Sequence, residues 1–204
     1  AGLLAAFPMI YSVFLPALYI GVFLLLAGLI FRGIAFEFRF KSSLASRHWW
    51  DRSFSIGSTV AAFAQGAVVG AYIQGFEVVD FQYAGGAFDW LTPFTLMTGL
   101  GVVTGYALLG ATWTVMKTDG GTQDWAFRMS ERLLLGVLAF FVVVSLWTPV
   151  TKPFVQQRWL DGIAWLWLFP VLTIAVSYWV WRALRERRDV VPFVGSMVLF
   201  GLFY

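Results

Sequence analysis

Glu37 and Lys41 are the acid and base whose spacing could do chemistry. They are four residues apart, acid first, the order that stabilises a helical pair by about 0.3–0.5 kcal/mol on a wet surface. A carboxylate there can gather and relay protons if partial burial raises its pKa toward neutrality, and a lysine one turn on opposes that rise. Arg32 and Arg39, seven apart, share a face of the same helix. Their guanidiniums stay charged, so they suit anchoring to a partner better than relaying protons. The plainer alternative is a solvated helix end with charges snorkelling from a membrane edge. Gln65 lies near the middle of a later apolar run. It reads either as an interhelical hydrogen bond or as a polar contact in a cofactor or water pocket.

The elements that must position these residues are membrane spans. Residues 15–30 form an uncharged apolar run ending directly at Arg32, and a bilayer core takes about 20 helical residues to cross. Of the 204 residues, 60% are hydrophobic and only 12% are charged, whereas a soluble domain carries about 25% charged residues. The chain is therefore expected to be all-α, a polytopic helical membrane bundle forming a single domain over residues 1–204. Spans are expected near 15–30, 54–73, 91–116, 133–147 and 162–181. Partial helices are expected at 1–12 and 191–204, so that both ends look cut. Pro8 and Tyr11-Ser12 suggest a turn, Pro16 the first turn of the next helix, and Pro149 and Pro153 a stiff loop. Residues 41–53 read as a polar loop, and residues 74–90 as an acidic one carrying Glu77, Asp80 and Asp89. Asp89-Trp90-Leu91-Thr92-Pro93 then reads as a capped helix start.

Small residues indicate where helices approach closely. Ala62, Gly66 and Gly70 recur every four residues, and Gly101 and Gly105 form a second such pair, the spacing that lets membrane helices pack tightly.

Loop charge assigns sides. Residues 32–52, 117–132 and 182–188 hold five, three and four of the fourteen Lys and Arg, while the alternate loops hold only Lys152 and Arg158. By the positive-inside tendency those three loops face the cytoplasm. The net charge of +3 follows from this distribution and calls for no nucleic acid.

Cysteine is absent, which excludes disulfides, thiolate metal sites and covalent haem attachment through cysteine; no metal site is expected. The one histidine, His48, falls in the polar loop outside every span. Because protein-held haem takes His, Met, Cys or Tyr as axial ligand, this chain is a poor haem binder.

Phe7-Pro8-Met9, the run Phe31-Arg32-Gly33-Ile34-Ala35-Phe36-Glu37-Phe38-Arg39, Gln65-Gly66, Gln74-Gly75, Leu91-Thr92-Pro93-Phe94 and Lys117-Thr118-Asp119-Gly120 occur in this order. In order and spacing they resemble subunit II of the cytochrome bd-type quinol oxidases over about the first 120 residues. The remainder matches only in hydropathy. The resemblance implies a haem-free subunit in a bacterial or archaeal plasma membrane, paired with a subunit I that holds haems b and d, oxidises quinol and reduces oxygen to water. It also implies membrane lipid, a structural quinone and small accessory subunits as further partners. It places Glu37 where the family has Asp or Glu and Lys41 where it often has Lys, at the entrance of a proton path shared with subunit I. Two other readings compete. A secondary transporter would place ionisable groups near the middle of its spans, and none is seen there. A purely structural scaffold would differ only in what mutations do.

Overall fold

The computed structural model describes residues 6–80, 82–151 and 168–203. The chain folds as two compact units, Ala1–Val103 and Thr104–Tyr204. The helices are α1 (Pro8–Lys41), α2 (Arg47–Gln74), α3 (Pro93–Lys117), α4 (Gly120–Thr151), α5 (Leu168–Arg185) and α6 (Val191–Phe203). Two short strands, β1 (Val78–Val79) and β2 (Gln82–Tyr83), pair antiparallel between α2 and α3.

In the first unit, α1 is a single helix of 34 residues. At 1.5 Å per residue it is about 50 Å long, against about 30 Å of bilayer core. The turn expected at Tyr11-Ser12 does not form. Pro8 occupies the opening turn, and Pro16 lies inside the helix instead of starting it. Membrane helices tolerate an interior proline because neighbouring groups can satisfy the freed carbonyl. The connection to α2 is also shorter than expected. Arg47, His48, Trp49 and Trp50 already belong to α2, leaving only residues 42–46 between the helices. Serines make this tight turn possible. Ser42 Oγ donates to the Arg39 carbonyl at 2.9 Å, and Ser46 Oγ to that of Ser43 at 3.1 Å. Trp50 stacks on Phe38 with ring centroids 5.2 Å apart, so it packs α2 on α1.

The far end of this unit is more ordered than the acidic loop expected there. Val78 pairs with Tyr83 and Val79 with Gln82, a minor β addition to an otherwise helical chain. Tyr83 OH donates to the Gly86 carbonyl at 2.7 Å, and the Gly86 N–H donates to Asp89 Oδ2 at 2.6 Å. Asp89 is thus committed to its own loop, and the helix cap is Thr92. Thr92 Oγ1 accepts from Thr95 N–H at 3.2 Å while Thr95 Oγ1 accepts from Thr92 N–H at 2.8 Å, a reciprocal cap just before Pro93. Trp90 fills the apolar core beneath, with Ala17, Leu18, Ala67 and Ala71.

In the second unit, α4 begins at Gly120, so residues 120–132 of the expected loop form its first turns. Pro149 lies within its last turn rather than in a loop. The core is built from Leu108, Val115, Phe127, Leu134, Val180 and Leu199. Two residues past the end of α5, Arg187 lies in the left-handed region (φ 53°). The Arg188 N–H reaches the Ala183 carbonyl at 3.0 Å and the Arg187 N–H that of Leu184 at 3.1 Å. Glycine is the usual residue at this kind of helix stop. Here an arginine holds it, and its guanidinium bonds Asp124 of α4.

Among the described residues, four helices, Ile10–Lys41, Arg47–Gln74, Pro93–Lys117 and Gly120–Val150, are long and apolar enough to cross a membrane. Residues 152–167, which include Lys152, Pro153, Arg158 and the first part of the span expected at 162–181, lie outside the described residues.

Candidate functional site at the charged end of the first helix pair

α1 continues beyond its apolar run as one helix, and this places Glu37 and Lys41 on adjacent turns. Lys41 Nζ lies 3.1 Å from Glu37 Oε1, with the two side chains 72% and 69% exposed. At such exposure the pair contributes a few tenths of a kcal/mol and is screened by salt.

Arg32 and Arg39 do share a face, and that face is turned to α2. Arg39 Nε bonds Asp51 Oδ1 at 2.5 Å, and the Arg32 guanidinium sits 5.4 Å over the Phe54 ring. Between these contacts lies a cleft of about 270 Å³ lined by Ala35, Phe36, Arg39, Phe40, Asp51 and Phe54. Sequence reasoning misses Asp51 and Phe54 because they sit within or beside an expected loop. Their helical spacing after Arg47 is the available signal.

The small-residue stripe of α2 faces α3. A Cβ on Gly66 would lie 2.7 Å from the Thr98 carbonyl oxygen and 2.9 Å from Gly99 Cα, and one on Gly70 would lie 3.2 Å from Thr95 Cα. Ala62 is only half-buried. On α3 the tight position is Gly99, where a Cβ would meet the Phe63 ring at 2.7 Å. Gly101 is half-buried, and Gly105 makes ordinary contact with Phe200 of α6 at 3.4 Å. The second close-packing glycine therefore lies two residues before the expected pair. Gln65 is half-buried on α2. At the far end of α2, Gln74 Oε1 accepts a 2.7 Å hydrogen bond from Thr92 Oγ1, which joins the Gln-Gly and Leu-Thr-Pro-Phe motifs eighteen residues apart.

In the second unit the charged residues interlock. Arg185 reaches Glu131 at 3.5 Å, Gln123 bonds Asp189 at 3.1 Å, and Arg187 bonds Asp124. These contacts bring residues 117–132 and 182–188 to one end of that unit. Glu186 is clamped between Arg182 at 2.6 Å and Arg188 at 2.7 Å, and the hydrogen bond from Arg182 leads the causes holding its carboxyl below the usual range. At the hairpin of the first unit, burial and the neighbouring Asp89 carboxylate push the Tyr83 phenol up.

Long apolar helices with cations gathered at their ends define a polytopic helical membrane protein. Residues 1–204 match the family described as cytochrome bd terminal oxidase subunit II, and the chain belongs to that family. Among curated relatives, it is 28% identical to "Probable cytochrome oxidase subunit 2" of Haemophilus influenzae over 86% of this chain and 54% of that protein. It is 31% identical to "Cytochrome bd-I ubiquinol oxidase subunit 2" of Escherichia coli over 72% of this chain and 40% of that one. It is also 28% identical to "Cytochrome bd ubiquinol oxidase subunit 2" of Bacillus subtilis over 68% of this chain and 43% of that one. The chain spans about half the length, or less, of these relatives.

Proposed function

We propose that this chain is the haem-free membrane subunit of a bd-type quinol oxidase whose chemistry takes place in a separate, haem-bearing subunit I. The observation that carries this reading is the family match across residues 1–204. The scarcity of histidine supports it: His48 stands alone, in the first turn of α2 and at the charged end of the helix pair. Haems b and d, quinol oxidation and the reduction of oxygen to water then belong to subunit I. This chain supplies apolar helix surface in a bacterial or archaeal plasma membrane, on which subunit I, lipid, a structural quinone and small accessory subunits can sit.

Within that complex, Glu37 serves as an entry point for protons from the cytoplasm, tuned by Lys41. Support comes from its place beyond the uncharged run of α1, where water reaches it and a partner can cover it. Arg32 and Arg39 set the direction of this helix end by holding it to α2, and they remain partly free to meet a partner.

Purification through a tag on this chain tests the reading. The full complex should carry a haem-bearing membrane protein, and the isolated chain should show no haem absorbance. Stoichiometric haem on the isolated chain would overturn the haem-free assignment. Absence of any haem protein from the intact assembly would overturn the oxidase assignment itself.

A further inference from the structure

We propose that the cleft between α1 and α2 at their charged end binds an anionic phospholipid from the leaflet on that side. The inference needs only that these two helices cross a membrane. Neither Glu37 nor Lys41 lines the cleft, so it stands apart from the proton role.

One wall of the cleft is aromatic. Phe36 and Phe40 pack edge to face at 5.5 Å, and Phe54 completes the wall. Phe36 and Phe40 are 63% and 67% exposed, a greasy surface that water covers poorly. The polar end is the Arg39–Asp51 pair. Arg39 uses Nε on Asp51, and its two terminal amino groups make no hydrogen bond among the described residues. A guanidinium with that fork open is suited to the paired oxygens of a phosphate.

Charge favours an anion despite the Asp51 carboxylate. Residues 32–52 carry Arg32, Arg39, Lys41, Arg47 and Arg52 against Glu37 and Asp51, a net charge of +3. Arg47 and Arg52 are exposed and form no ion pair among the described residues; Arg52 lies 5.4 Å over the Trp49 ring.

Depth selects a lipid over a free phosphate. The cleft begins at Ala35, little more than a turn beyond the uncharged run that ends at Ile30, which is headgroup level. A phosphate ion would satisfy Arg39 and leave the three rings bare. A phospholipid covers both, with its phosphate at Arg39 and an acyl chain along Phe36, Phe40 and Phe54. About 270 Å³ holds the headgroup and the start of one chain, not a whole lipid.

The test uses the intact complex in nanodiscs of equal phosphatidylglycerol and phosphatidylethanolamine, with retained lipid counted by native mass spectrometry. A photoreactive phosphatidylglycerol maps the contact. Label should concentrate in residues 35–54. Joint replacement Arg47→Gln and Arg52→Gln leaves the Arg39–Asp51 bond intact and should weaken phosphatidylglycerol retention about fivefold per charge removed. Asp51→Asn keeps the shape, raises the net charge and should strengthen retention, whereas a merely structural role for the pair predicts no gain. Should the double variant fail to assemble, Asp51→Asn and the label map decide. Equal retention in all forms, label spread evenly along α1, or cross-linking of the cleft to a protein chain instead of lipid would each overturn the proposal.

Discussion

Gly28 and Gly57 face each other where α1 crosses α2. A Cβ on Gly28 would lie 2.7 Å from the Gly57 carbonyl oxygen, and a Cβ on Gly57 would lie 2.8 Å from the Gly28 carbonyl oxygen. Backbone meets backbone on both sides, so neither position can accept a side chain without the helices separating. Just beyond this crossing come the Arg32–Phe54 and Arg39–Asp51 contacts. The crossing therefore fixes the register in which the charged end is assembled.

Gly57→Val should cost about 1–3 kcal/mol or more through overpacking, read as a lower thermal midpoint of the purified protein. Gly33→Ala is the control on α1. A Cβ there meets nothing within 4 Å, so the change should be neutral or stabilising by up to about 1 kcal/mol, the helix-propensity difference. Equal stability of the two variants would remove the crossing as a determinant of packing.

Much of this arrangement is legible in the sequence, and the exceptions share a cause. Residues 54–73, 91–116 and the cluster at 32–41 stand out because long uncharged runs and charge clusters are one-dimensional signals. The true extents of α1, α2 and α4 exceed the expected ones because polar residues beyond a membrane edge look like loop. A helix does not stop at the edge of the apolar phase when, as at Arg47–Arg52, its side chains find partners on the next helix or the next turn. Pro16 and Pro149 mislead through a rule calibrated in water. Gly28, Gly57 and Gly99 escape notice because close approach depends on which faces meet. Spacing alone points equally to Gly101 and Gly105. Glu37 and Lys41 are identifiable by type and spacing, and the structure adds that they pair with each other while their arginine neighbours pair with α2.

The clamp on Glu186 makes a pH prediction. Its carboxyl is held below the ordinary 4.5 in the folded protein, first by the Arg182 hydrogen bond. A group whose folded pKa is lowered stabilises the fold above its unfolded value and loses that contribution as pH falls through the folded one. The turn at residues 186–190 should thus keep its protection above about pH 4.5 and lose it progressively below. Hydrogen exchange of the Arg187 and Arg188 amides against pH checks this. In Glu186→Gln the acid-dependent component should vanish; persistence of the same profile would assign it to another group.

Orientation can be tested at the hairpin. Positive-inside bias assigns Arg47 and Arg187 to the cytoplasm and Glu77, exposed beside β1, to the opposite side. Impermeant thiol reagent should label Glu77→Cys only from outside the cell, and Arg47→Cys and Arg187→Cys only from the cytoplasmic face. Residues 1–204 contain no cysteine to confuse the result. Cytoplasmic labelling of Glu77→Cys would invert the topology and detach Glu37 from any cytoplasmic proton source.

Glu37 carries the most consequential prediction. Its carboxylate is open to water and pairs only with Lys41 among the described residues, an arrangement worth little to stability. Removing its charge should therefore leave the fold within about 0.5 kcal/mol of the parent. If the carboxylate passes protons inward, Glu37→Gln should slow oxygen consumption several-fold in a fully assembled, haem-loaded complex, with the deficit growing at alkaline pH where protons are scarce. Lys41→Met should act differently. It removes the exposed cation paired with Glu37 and leaves the carboxylate in place, so the maximal rate should change little. A solvated helix end with no functional role predicts the same turnover at every pH in all three forms. Oxygen-electrode rates across about pH 6–9, normalised to haem content, separate these outcomes, and equal rates in parent and Glu37→Gln would remove Glu37 from the proton path.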